Sequence, residues 1–157
     1  MQAKILPRAR FPARRFRAPH VPDRPFSPPF TGSFPMPDTT VLIVDDNADL
    51  ARLMTQICRV LGQEAVMAED METGLAALAA EPGIVLALVD VSLPQGHSGF
   101  DFVDAATAMK PDLSCVLMSG LGSNADRPAH HDETPVLKKP IPMDQLKALL
   151  DGLKAAP

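Results

Sequence analysis

Between Ile84 and Pro94 the chain reads IVLALVDVSLP. An apolar run this short, closed by Leu93-Pro94, is the pattern of a central strand buried on both faces, and such strands belong to parallel sheets. The run ends on Asp90. In open α/β sheets, ligands and reacting groups collect just beyond the carboxyl ends of the strands, so a carboxylate at that position points to chemistry rather than to packing.

The flanking sequence repeats a strand-then-helix rhythm from Thr40 onward. Val41 to Val44 reads as a strand, and Leu50, Leu53, Met54, Ile57, Cys58 and Leu61 share one helix face, with Gly62 placed to end it. Ala65 to Ala68 is a second strand, and Asp70 can cap a helix carrying Met71, Leu75 and Leu78. After Asp90 and a Gly-containing loop, Phe102, Val103, Ala106 and Met109 mark a third helix that Pro111 ends. Ser114 to Met118 and Pro135 to Leu137 are the fourth and fifth strands. Pro142, suited to a first helical position, precedes Met143, Leu146, Leu149, Leu150 and Leu153. This alternation predicts an α/β domain, a parallel sheet with helices on both faces. Right-handed crossovers bring every strand's carboxyl end to one edge. Asp45, Asp46, Asp90, Ser119 and Lys139 lie just past those ends.

These five residues make sense as one site. Two adjacent acids and a third from another strand repel when ionised unless a cation sits among them. Mg2+ suits the set, being hard and oxygen-seeking and content with one or two carboxylates plus waters and a phosphate. Lys139 offers a point charge for a phosphoryl oxygen and Ser119 a hydroxyl for another. Asp90 is the candidate nucleophile, attacking phosphorus to give an acyl phosphate.

The pattern resembles the receiver domain of two-component response regulators, over about residues 38 to 155. Val44-Asp45-Asp46, Val89-Asp90, Met118-Ser119-Gly120 and Lys139-Pro140 match the family's acid pair, phosphorylated Asp, Ser or Thr, and Lys-Pro, with separations of 44, 29 and 20 residues counted from Asp46. The resemblance implies a flavodoxin-like, doubly wound five-stranded parallel sheet of strand order 2-1-3-4-5. It implies that Asp46 and Asp90 bind Mg2+ through their carboxylates, Ser92 through its backbone carbonyl, and Asp45 mainly through water. It also implies a cis Lys139-Pro140 bond that turns the amine over the site, with Lys138 pointing away, and an open approach past Gly120. The expected function is to take a phosphoryl group from a phosphohistidine donor, a histidine kinase or histidine phosphotransfer protein, and to signal to a downstream protein. Such a chain is an acceptor with autodephosphorylation and no dedicated substrate turnover.

Three departures from the family stand out. The position three before Lys139 is Val136 where the family often has an aromatic residue, so no ring rotation there can carry the signal. The segment GLGSNADRPAHHDET lacks an apolar face and contains Pro128, so the family's fourth helix is expected to be short or disordered, and residues 121 to 134 more mobile than the rest. The loop QGHSG is one residue longer than the commonest form. The last two traits resemble receivers that work beside sensor kinases, and the altered output face leaves a second function open, a docking module that regulates a sensor kinase without being phosphorylated.

Composition divides the chain. Residues 1 to 37 hold nine of the seventeen prolines and seven Lys/Arg against a single acid, while residues 38 to 157 hold eight Lys/Arg against eighteen acids. Net charges of +6 and -10 follow. A leader interrupted by proline every few residues cannot satisfy its backbone as helix or sheet, so residues 1–37 read as a disordered basic extension and residues 38–157 as the receiver domain. Met36 is an alternative first residue. The leader lacks a secretory apolar core, and no window is long enough for a membrane span. Buried thiols at Cys58 and Cys115 fit a reducing, cytoplasmic setting. As only seven residues follow Leu150, no DNA-binding or catalytic output domain is expected after Pro157; output is expected through protein contacts, and a homodimer is compatible.

Rival chemistries fit less well. A haloacid-dehalogenase-like phosphatase needs a second Asp where Ser92 stands, and a mononucleotide fold needs a glycine-rich turn where this chain has DDNAD. His97, His130 and His131 are read as solvated loop residues, no third metal ligand being evident beside the His-His pair. The methionines are assigned to packing.

Overall fold

The computed structural model describes residues 40–122 and 127–154. The basic extension, residues 1–37, lies outside the described residues, as do residues 123–126 of the expected mobile segment. The elements are β1 (Thr40–Val44), α1 (Ala48–Val60), β2 (Glu64–Ala68), α2 (Met71–Ala80), β3 (Ile84–Asp90), α3 (Gly99–Met109), β4 (Ser114–Ser119), β5 (Val136–Lys138) and α4 (Met143–Lys154). All pairings are parallel and the strand order is β2-β1-β3-β4-β5, as the alternation and the resemblance implied.

Strand side chains alternate between two cores, as the twofold period of a strand requires. Leu42, Val44, Ala87, Val89 and Leu117 face α2 and α3 through Leu78, Phe102, Val103 and Ala106. Val41, Ile43, Leu86, Leu88, Val116 and Met118 face α1 and α4 through Met54, Cys58, Leu146 and Leu150. With both faces covered, β3 is buried along nearly its whole length, which explains its uninterrupted apolar sequence.

Local chemistry sets the helix ends. Asn47 caps α1, accepting from the Leu50 amide at 3.1 Å, and Gly62, at φ 81°, takes the left-handed conformation that ends it. Asp70 and Thr73 form a reciprocal capping box on α2, and Ser98 and Asp101 form another on α3. Pro142 lies one position before α4, its carbonyl accepting from the Leu146 amide at 3.0 Å.

Two sequence expectations need correction. Leu53, assigned to the buried face of α1, is 53% exposed, because the sheet covers a narrower stripe than the periodicity suggests. Met54 and Met118 are packed in the core, but Met67, Met109 and Met143 are exposed. Where the fourth helix of the resembled family was expected to be short or disordered, the described residues include a 3-10 turn, Ala129–His131.

Candidate functional site

The parallel register delivers the site. Val44 pairs with Val89, so Asp45 and Asp90 leave the sheet side by side, and Ser119 pairs with Lys138 one strand further on. The next residue, Lys139, ties its own amide to the Ser119 carbonyl at 2.8 Å, and the Lys139–Pro140 peptide is cis. Its amine turns inward. Lys139 Nζ donates to Asp45 Oδ2 at 2.6 Å and lies 3.1 Å from Asp90 Oδ1. Lys138 is exposed, with its stem beside Gly122.

Asp45, Asp46 and Asp90 each offer a carboxylate oxygen within 4.8 Å of the others. Asp45 is 1% and Asp90 9% exposed, whereas Asp46 faces solvent. Asp45 is further held by the Asn47 amide, which donates to Oδ1 at 2.9 Å. Burial pushes the Asp90 carboxyl above the usual aspartate range, against the opposing hydrogen bond and charge of Lys139. For Lys139, burial acts against the charged amine, but the hydrogen bonds to Asp45 and Asp90 outweigh it and hold its pKa above the ordinary lysine value. The arrangement is three acids against one amine, an excess of negative charge in a partly enclosed place. It fits a hard divalent cation, since carboxylate oxygens are the ligands such an ion prefers.

Beside the carboxylates opens a cleft of about 430 Å³ lined by Asp90, Ser92, Phe100, Ser119, Gly120 and Leu121. Ser119 Oγ accepts from the Leu121 amide at 3.1 Å, leaving its own hydrogen free to donate. A Cβ placed on Gly120 would meet nothing within 4 Å, so the approach is open. The longer loop after β3 closes through an antiparallel bridge between Ser92 and Ser98, with Gln95 and Gly96 both at positive φ.

All five sequence-selected positions, and Ser92, thus gather at one end of the sheet. A family model for the response regulator receiver domain matches residues 41–151. The chain belongs to this family. A curated relative of the receiver is the photosynthetic apparatus regulatory protein RegA of Rhodovulum sulfidophilum, 32% identical over 123 residues, which cover 76% of this chain and 66% of the relative. Among solved structures, a CheY-like receiver domain from Methylobacillus flagellatus matches with a TM-score of 0.65 at 25% identity, covering 73% of this chain and 98% of its own. A sensor protein from Polaromonas sp. JS666 matches with a TM-score of 0.66 at 23% identity, covering 74% and 95%.

Sequence reasoning missed two contributors to the receiver's site. Phe100 forms a wall of the cleft, and Gly99 lets α3 begin against the end of β3, its amide donating to the Val91 carbonyl at 2.8 Å. The Ser98-x-x-Asp101 spacing was the available signal, since it marks a helix start at Gly99. The reading of the histidines also changes. His97 and His130 are exposed, but His131 is buried at 4% exposure, packed against Phe100 with ring centroids 5.1 Å apart and the planes tilted by 47°.

Proposed function

We propose that this receiver accepts a phosphoryl group on Asp90 from a phosphohistidine donor, a histidine kinase or histidine phosphotransfer protein, and signals to a downstream protein by contact. The observation that supports this most strongly is the Lys139 amine lying between Asp45 and Asp90, with Asp46 close enough to share a cation with both. Asp46 and Asp90 would hold Mg2+ with their carboxylates, Ser92 with its backbone carbonyl, and Asp45 through water. When bound, the ion supplies positive charge that offsets the acids and the phosphoryl oxygens.

The residues of the chain do the rest. An Asp90 oxygen attacks phosphorus, the P–N bond to the donor imidazole breaks, and the imidazole leaves with the bonding pair, giving an acyl phosphate. Lys139 exchanges its contact with Asp90 for a phosphoryl oxygen, and Ser119 donates its hydroxyl hydrogen to another. Water attack on the acyl phosphate later returns the carboxylate. The protein is therefore an acceptor with autodephosphorylation rather than an enzyme with a dedicated substrate. Phosphate on Asp90 biases a two-state surface.

Val136 and the 3-10 turn Ala129–His131 before β5 favour a second reading, a docking module that regulates a sensor kinase without being phosphorylated. Incubation with Mg2+ and a small phosphodonor separates the two. One equivalent of acid-stable, base-labile label supports the acceptor, and none at all supports the docking module.

Metal binding gives an independent measure. Mg2+ at a hundredfold excess over its dissociation constant stabilises the fold by about 2.7 kcal/mol. For a domain of this size that raises Tm by roughly 10 °C. Asp46→Ala should lose most of this rise in thermal denaturation with and without Mg2+; a variant that keeps all of it would place the ion elsewhere.

A further inference from the structure

Asp104 on α3, with His130 and His131 on the turn before β5, forms a second cluster away from the Asp90 carboxylates. Each of the three offers a ligand atom within 4.8 Å of the others. His130 Nε2 lies 3.2 Å from Asp104 Oδ2 and His131 Nε2 lies 3.3 Å from Asp104 Oδ1. His130 and Asp104 are more than half exposed, so their pairing alone would be an ordinary surface contact of little energetic weight.

His131 is different. Its Nε2 is buried and has no hydrogen-bond partner, although the Asp104 oxygen is near, because that oxygen is not aligned for a hydrogen bond. A buried polar nitrogen without a partner carries a cost that folded proteins ordinarily avoid. The other ring nitrogen, Nδ1, is 3.0 Å from the Thr134 hydroxyl. In the tautomer that donates Nδ1–H to Thr134, Nε2 presents a bare lone pair beside a carboxylate. An outer hydrogen bond that fixes the ring and leaves the opposite nitrogen free is the arrangement found behind metal-bound histidines.

We infer that Asp104, His130 and His131 form a transition-metal site, suited to Zn2+, that ties the turn before β5 to α3. Two imidazoles and a carboxylate are a borderline ligand set that zinc accepts, with a fourth position left to water. Bond lengths of about 2.0–2.1 Å in a tetrahedral site put neighbouring ligand atoms about 3.3 Å apart; each imidazole nitrogen lies at about that distance from a different oxygen of Asp104, so a turn of the exposed carboxylate brings one oxygen to both. His131 is the fixed anchor, held by Phe100 and Thr134, and the exposed His130 and Asp104 side chains are free to adjust around it. The site would also reach the receiver's cleft, because Phe100 touches His131 and lines the space beside Asp90.

The test is titration of the full chain with Zn2+ against a chromophoric chelator, in excess Mg2+ so that the oxygen-only site is filled. Wild type and Asp90→Asn should each bind one equivalent, and Co2+ should show the intense visible absorption of a four-coordinate ion. His130→Ala and Asp104→Asn change exposed positions, and each should weaken Zn2+ binding tenfold or more and bleach the Co2+ band. Zinc affinity unchanged in both variants, no binding by wild type, or loss of the site in Asp90→Asn instead, would each overturn the assignment.

Discussion

Asp90→Asn is expected to remove phosphoryl uptake entirely and, with divalent ions chelated, to make the fold more stable than wild type at neutral pH. The first effect follows from chemistry, since an amide oxygen is no match for a carboxylate as nucleophile at phosphorus. The second follows from burial, which raises the Asp90 carboxyl pKa despite the amine beside it. A carboxyl whose folded pKa lies above its unfolded value binds its proton more tightly in the native state, so stability falls as pH rises through that interval. Ionised Asp90 therefore costs stability at pH 7, and asparagine avoids the cost. As pH drops through the folded pKa towards the model-peptide value of 3.8, wild-type Asp90 becomes neutral and the advantage of the variant fades. Denaturation midpoints for both proteins at pH 7 and pH 4 in chelator would show it. A variant less stable than wild type at pH 7 would mean that the contact with Lys139 outweighs desolvation, and label retained by the variant would refute Asp90 as acceptor.

Gly99→Ala should be among the most damaging single-methyl additions. Alanine is the better helix former, so at an open position the change would be favourable. Here the new Cβ would sit 2.4 Å from the Asp90 backbone oxygen and 2.7 Å from Leu117 Cδ2. Leucine can turn aside, but a carbonyl at the end of a central strand cannot. Forcing a methyl group into a packed site costs about 1–3 kcal/mol, and contact with immovable backbone puts this case at the upper end. A fall in Tm of roughly 10 °C is expected. The displaced carbonyl belongs to the proposed acceptor, Asp90, so phosphoryl uptake should drop too, although Gly99 contacts no reacting group. Thermal denaturation of the variant reads this directly, and a melting temperature at or above wild type would show that α3 can back away freely.

The order of the sheet and the gathering of the acids could be read from sequence because both rest on strong local signals. The run into Asp90, the Val44-Asp45-Asp46 step and the Ser119 and Lys139 strand ends are each short patterns whose placement follows once strands and helices alternate. What stayed hidden depends on distances that sequence does not encode. His131 looked solvated because its neighbours in the chain are polar; yet it packs against Phe100, 31 residues earlier. Asp104, the ligand missing beside the His-His pair, lies 26 residues from His130 and reads as an ordinary exposed helix residue. Leu53 and Met109 follow the helical period yet face solvent, since periodicity marks the middle of an apolar stripe better than its edges. The basic extension, residues 1–37, was legible as composition alone.

Adjacent strands lie about 4.8 Å apart whatever sequence they carry, and the groups proposed to handle phosphate are hung from strand termini. Hydrogen-bond pitch, not loop length, thus fixes their mutual spacing. Turns at the opposite rim, such as Gly62–Gln63 and Pro111–Leu113, connect to the same strands without touching that geometry. Evolution can lengthen or redecorate that far edge while the chemistry stays in calibration.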